Sequence, residues 1–209
     1  MKIYLDPLEG ITGYTYRRAL HQCFGGFDKY FIPFILPNQK GHLSTREKKD
    51  IAPENNEGMY AVPQILTKNA EDFIRTAETL QEYGYNEVNL NLGCPSKTVV
   101  TKGRGTLRNP ALAREIRGGA PASKEEIRRF HDIMYNEYCE DLSGDRNILF
   151  RMKELWSYLI PMFTNNKKYA KKIKKTEKCV VYESAVRELF SCEQLIDSND
   201  DSEKITGTL

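Results

Sequence analysis

Apolar and polar positions follow two different periods along the first ninety residues. KIYL (2–5) is a short strand stopped by Asp6-Pro7. GITGYTYRRALHQCF (10–24) reads as a loop and then a helix, with Thr12 as its N-cap. KYFIPFIL (29–36) is aromatic and β-branched, a strand in which Pro33 marks a bulge or an irregular end. The polar stretch 37–59 reads as a loop or irregular excursion. AVPQIL (61–66) is the third strand. Asn69 caps the next helix, with Asp72 in capping-box position and Phe73, Ile74, Ala77, Leu80 and Tyr83 at helical spacing before Gly84 ends it. NEVNLNL (86–92) is the fourth strand. Strand, helix, strand, repeated, implies parallel pairing through right-handed crossovers.

Beyond the Gly-rich loop GCPSKTVVTKGRGTLRN (93–109) the pattern changes. No further buried strand is predicted. PALAREI (110–116) reads as a short helix with Pro at N1, and GGAPA (118–122) as a linker. SKEE (123–126) is a capping box opening a helix to about Leu142, with Ile127, Phe130, Met134 and Tyr138 on one face. A helix from about Asn147 to Phe163 follows, facing Ile148, Met152, Leu155, Trp156 and Leu159 inward. A basic helix (167–175) and a last one around Tyr182–Phe190 complete the series, and disorder is expected beyond Ser191. Trp156 and Phe130 read as core residues and His131 as a surface or helix-packing residue.

Composition narrows the class. Apolar residues make up 40% of the chain and charged residues 29%, which argues against disorder throughout. No apolar run reaches membrane-spanning length, and the N-terminus lacks an apolar signal-peptide core, so a chain without membrane attachment is expected. Five cysteines without CxxC pairing argue against a disulfide framework and a structural metal site, and fit a reducing cytoplasm. The net charge of +2 conceals an asymmetry: residues 151–190 hold ten Lys or Arg against four acids, while 193–209 hold five acids against one Lys. Lys167, Lys168, Lys171, Lys172, Lys174 and Lys175 crowd one segment, either a polyanion-binding face or a solvated helix face.

The chemistry concentrates in VNLNLGCPSKTVVTKGRG (88–105). Asn89 and Asn91, two apart on a strand, point to one side, and Cys94-Pro follows at its C-terminal end, where parallel α/β folds place their sites. A rim cysteine serves as proton donor or nucleophile, or has no role at all. This stretch resembles the signature of the tRNA-dihydrouridine synthases, flavoenzymes that reduce uridine in tRNA. DPLEGITGYTYRR (6–18) resembles that family's first strand and loop, VPQIL (62–66) its third strand, and SKEE through LSGDRNILFRMKELW (142–156) its helical RNA-binding domain.

The resemblance implies an FMN enzyme with NADPH or NADH as electron donor and tRNA, not DNA, as partner. It places Cys94 as proton donor. Pro7, Leu8 and Glu9 would approach the flavin through their backbone, Gln64 would hydrogen-bond its ring, and Asn91 would line the flavin and uracil site. The bland readings are a strand stop at Pro7, backbone satisfaction by Gln64 and a loop cap at Asn91. The six lysines would neutralise tRNA phosphates.

Two departures stand out. Asp6 replaces the family's usual Ala. Four later strands, which in the family carry a flavin-binding Lys, a His near the substrate and the flavin-phosphate site, have no counterpart. Gly103-Arg104-Gly105 runs directly into TLRNPALAREI, so Gly103 and Arg104 belong either to the Cys loop or to the phosphate site.

The expected fold is α/β: a truncated (β/α) barrel of about four parallel strands (1–109), an all-α domain (110–190) and an acidic tail (191–209). A homodimer would complete the half-barrel. The alternative function is an internally deleted, inactive relative that keeps RNA binding.

Overall fold

The computed structural model describes residues 1–8, 10–37, 42–91 and 105–196. The chain divides into two compact units, one comprising Met1–Thr106 with Ala111–Pro121, the other Leu107–Pro110 with Ala122–Leu209.

The first unit is a four-stranded parallel sheet in the order β1 (Tyr4–Leu5), β2 (Lys29–Ile35), β3 (Ala61–Leu66), β4 (Asn89–Asn91). Sequential neighbours joined by helical crossovers are the layout of the first half of a (β/α) barrel. Helix α1 (Tyr14–Cys23) joins β1 to β2, α2 (Thr45–Ile51) follows β2, and α3 (Ala70–Glu82) joins β3 to β4. Ile32, Ile35, Ile51, Ile65 and Leu80 form the core between the sheet and α2 and α3, with Phe73, Ala77 and Val88 packed against it. Register shifts between Ile32 and Ile35, the irregularity that Pro33 predicts.

Several boundaries differ from expectation, each for a local reason. The excursion 37–59 contains α2 and a 3-10 turn, Pro53–Asn56. Its signal is a capping box: Ser44 Oγ accepts from Glu47 N, and Ser44 N donates back to Glu47 Oε2. Thr12 does not cap α1; the N-cap is Gly13, without a side-chain bond. A distant side chain does the capping, for Tyr14 N donates to Asp50 Oδ1 at 2.7 Å. Asn69 caps α3 as expected, but Asp72 pairs with Arg75. The helix α4 (Leu112–Ile116) starts after Ala111, so Pro110 precedes its cap. It lies against Gly26, where φ is +85° and an added Cβ would stand 3.0 Å from Arg114 N, so only glycine fits.

The second unit holds α5 (Lys124–Asp141), α6 (Asp145–Leu159), a 3-10 turn (Ile160–Met162), α7 (Asn166–Lys174) and α8 (Cys179–Cys192). Ser123 and Glu126 form the predicted capping box. Phe130 and Trp156 are buried, and so is His131. Trp156 Nε1 donates to Tyr182 Oη at 2.7 Å, and Tyr182 Oη lies 2.6 Å from His131 Nε2. His131 Nδ1 lies 2.8 Å from Asp132 Oδ1. A carboxylate only accepts, so Nδ1 carries the proton of the neutral ring and Nε2 accepts from Tyr182.

The ordered chain continues past Ser191. Leu195 bridges Phe163 antiparallel, and Glu193 is buried, accepting from Thr164 Oγ1 and Asn165 Nδ2. Residues 197–209 of the expected tail lie outside the described residues. Among the described residues, no helix is long and apolar enough to cross a membrane.

Candidate functional site

Strand alternation builds the site. Ile65 points into the helix-covered core, so its neighbour Gln64 points to the opposite face of the sheet. Gln64 pairs in register with Asn89, and Leu66 with Asn91. The three amides meet there. Asn91 Nδ2 donates to Gln64 Oε1, and Gln64 Nε2 donates to Asn89 Oδ1, each at 2.9 Å. All three side chains are half-buried; Gln64 lies in the second half of β3, Asn89 opens the short β4 and Asn91 ends it. Such a row presents amide N–H and C=O groups in fixed order to anything lying on that face.

The loop after β1 stands at the same end of the sheet. Thr12 is buried and its hydroxyl fastens the loop, accepting from Leu8 N at 2.7 Å and donating to Leu8 O at 3.1 Å. Ile11 N and Thr12 N also donate to Leu8 O. Leu8 therefore spends its backbone N–H and C=O on the turn that sets Pro7 in place. Asp6 is exposed.

A buried ion pair supports this loop. Arg17 is fully buried; its Nη1 donates to Thr12 O at 3.0 Å, and its Nη2 to Asp50 O at 2.7 Å and Asn56 Oδ1 at 2.9 Å. Asp50 Oδ1 stands 3.4 Å from Nη1. Burial lowers the Arg17 pKa, and the Asp50 carboxylate opposes that shift. The opposite end of the strands carries Lys29, Glu87 and Tyr60: Glu87 pairs with Lys29 and accepts from Tyr60. Their hydrogen bond raises the Lys29 pKa and lowers that of Glu87.

In the helical unit, α7 buries Tyr169 and Ile173 and exposes its lysines. Lys168 and Lys172 pair with Glu188. Among the described residues, no carboxylate pairs with Lys167, Lys171, Lys174 or Lys175. Lys167, Lys171 and Lys174 recur at helical spacing, so they form one uncompensated cationic stripe.

The family model for "Dihydrouridine synthase (Dus)" matches residues 4–117, more than half of the chain. The chain belongs to the dihydrouridine synthase family. Among curated relatives, the "tRNA-dihydrouridine synthase B" of Pasteurella multocida (strain Pm70) is 29% identical over 117 residues, covering 55% of this chain and 34% of that protein. The "tRNA-dihydrouridine(16) synthase" of Pseudomonas putida is 32% identical over 136 residues, covering 59% and 41%. A "Probable tRNA-dihydrouridine synthase" of Staphylococcus aureus (strain COL) is 26% identical over 157 residues, covering 67% and 47%. The chain thus spans from a third to about half of the length of these dihydrouridine synthases.

Of the residues expected to serve a dihydrouridine synthase, the structure joins Gln64 and Asn91 directly and sets Pro7 and Leu8 at the same sheet end. Glu9, Cys94, Gly103 and Arg104 lie outside the described residues. Two contributors carried no expected role. Asn89 completes the amide row, and its spacing of two from Asn91 was the available signal. The Arg17–Asp50 pair holds the loop through Thr12; a pair 33 residues apart leaves no local trace.

Proposed function

We propose that this chain acts as a tRNA-dihydrouridine synthase: it holds FMN at the C-terminal ends of its strands and reduces uridine in tRNA to 5,6-dihydrouridine, with NADPH or NADH as electron source. The observation that carries this reading is the amide row Asn91–Gln64–Asn89 on the face of the sheet opposite the helix-covered core. Alternating donors and acceptors suit the carbonyl and ring-nitrogen edge of an isoalloxazine, and the fastened Pro7–Leu8 turn offers an apolar neighbour. The chemistry of these amides suits the ring end of FMN; Gly103 and Arg104, outside the described residues, belong either to the Cys loop or to the site that would hold its phosphate.

FMN, when bound in its reduced form, would supply the hydride chemistry for the uracil double bond. Cys94 would hold on its Sγ the proton for the carbon that does not receive the hydride. A thiol suits this step because its pKa lies near working pH. Asn91 orients the reacting ring. Lys167, Lys171, Lys174 and Lys175 hold the tRNA backbone without reading sequence, with Lys168 and Lys172 contributing less because Glu188 already compensates them.

The test incubates the full chain with FMN, NADPH and unmodified tRNA and measures dihydrouridine by mass spectrometry of nucleosides. Wild type forms it; Cys94→Ala does not, yet retains FMN. A wild-type chain that binds tRNA but forms no dihydrouridine favours the second reading, an inactive relative that keeps RNA binding. One observation speaks for that reading: a lysine stripe that needs no flavin.

A further inference from the structure

We infer that Asn89 is a positioning residue: it fixes which way the Gln64 amide faces, and so the order of donors and acceptors shown to the flavin ring. The inference rests on the proposed role of Gln64 at the FMN ring and adds a residue to which that reading gives no role.

The argument is one of hydrogen-bond direction. Gln64 has both ends of its amide engaged, Oε1 by Asn91 Nδ2 and Nε2 by Asn89 Oδ1. A half-turn of Gln64 alone would set N–H against N–H at Asn91 and oxygen against oxygen at Asn89. The row therefore reverses only as a whole, with all three amides turning together. The observed direction puts the Asn91 oxygen at one outer end and the Asn89 nitrogen at the other. Asn89 is the terminal acceptor, and it faces Gln64 directly because the two are register partners on adjacent strands. Leu90, between the two asparagines, points to the other face of the sheet and is 46% exposed.

Two substitutions separate direction from shape. Asn89→Asp keeps the acceptor and removes the donor, so it locks the row as observed. Asn89→Leu keeps the bulk and removes the acceptor, leaving Gln64 Nε2 without a fixed partner. The experiment titrates FMN into the purified full chain, followed by flavin fluorescence, for wild type, Asn89→Asp, Asn89→Leu and Gln64→Ala. Far-UV circular dichroism checks that each is folded. Exchange of the Gln64 side-chain N–H protons, read by NMR without FMN, gives a readout independent of activity.

Asn89→Asp should bind FMN as wild type does and slow the exchange of the bonded Gln64 proton, since a charged acceptor strengthens the bond. Asn89→Leu should bind about tenfold more weakly, the worth of one ordinary hydrogen bond, and speed that exchange. If Gln64→Ala weakens FMN but Asn89→Leu does not, the inference is overturned and the flavin reading stands. If Asn89→Asp binds as poorly as Asn89→Leu, the row runs the other way and the inference is also overturned. If wild type binds no FMN, or Gln64→Ala binds as wild type does, the flavin reading fails and the inference with it.

Discussion

Replacing Asp50 with alanine should destabilise the sheet unit by about 4–6 kcal/mol, most of it through a residue the mutation leaves untouched. Asp50 is 5% exposed and Arg17 not at all. The carboxylate has two tasks in the sheet unit. It caps α1 through Tyr14 N, worth about 1 kcal/mol. It also neutralises Arg17, whose other bonds go to neutral oxygens of Thr12, Asp50 and Asn56. Among the described residues, Arg17 Nε has no hydrogen-bond partner. Without the carboxylate a guanidinium stays buried and uncompensated, which costs about 3–5 kcal/mol. The exposed Arg46, 3.8 Å from Asp50 Oδ2, adds little. Against a total stability of about 5–15 kcal/mol such a loss is large.

The assay is urea unfolding followed by far-UV circular dichroism, with Trp156 fluorescence reporting the helical unit separately. Asp50→Asn keeps an acceptor for Tyr14 and should fall between wild type and alanine. Adding Arg17→Met to Asp50→Ala removes the stranded charge and should recover part of the loss, a coupling that a double-mutant cycle measures directly. A loss below about 1 kcal/mol for Asp50→Ala, or a double variant no more stable than the single, would refute this reasoning.

Other predictions follow the same logic. Burial lowers the His131 pKa, so below its ordinary value of about 6.5 the unfolded chain takes up a proton that the folded unit resists; stability of the helical unit should hold above that pH and fall as pH drops beneath it. A pH series of unfolding monitored at Trp156 checks this, and a stability independent of pH between 7 and 5 would contradict it. Tyr182→Phe leaves Trp156 Nε1 and His131 Nε2 without their shared hydroxyl and should cost about 2–4 kcal/mol, measured by the same unfolding curve. Replacing Lys167, Lys171 and Lys174 together with alanine should weaken tRNA binding and flatten its dependence on log salt by about 2–3, whereas Lys172→Ala should change it less; equal effects would argue against the stripe. Sedimentation of the purified chain should give twice the 24.1 kDa of one copy if a second half-barrel closes the sheet.

Much of this was legible in the sequence because the signals were local. Four strands, their parallel order, the capping at Asn69 and Ser123 and the burial of Trp156 all follow from periodicity and capping chemistry over a few residues. The α2 capping box was equally local but lay in a polar stretch with little apolar periodicity to draw the eye. Thr12 shows the limit: its residue type suits an N-cap, yet its hydroxyl is taken by Leu8 and the cap comes from Asp50, 36 residues away from Tyr14. Asn89 and Asn91 were legible as a pair on one face; that Gln64 joins them depends on register between strands, which no single segment encodes.

Flavin bound by the purified full chain tests the central claim most directly. Titration of FMN against wild type, read by quenching of flavin fluorescence, should saturate at one FMN for each chain and weaken with Gln64→Ala. Fluorescence that stays unquenched at every protein concentration would contradict an FMN site at the ends of these strands.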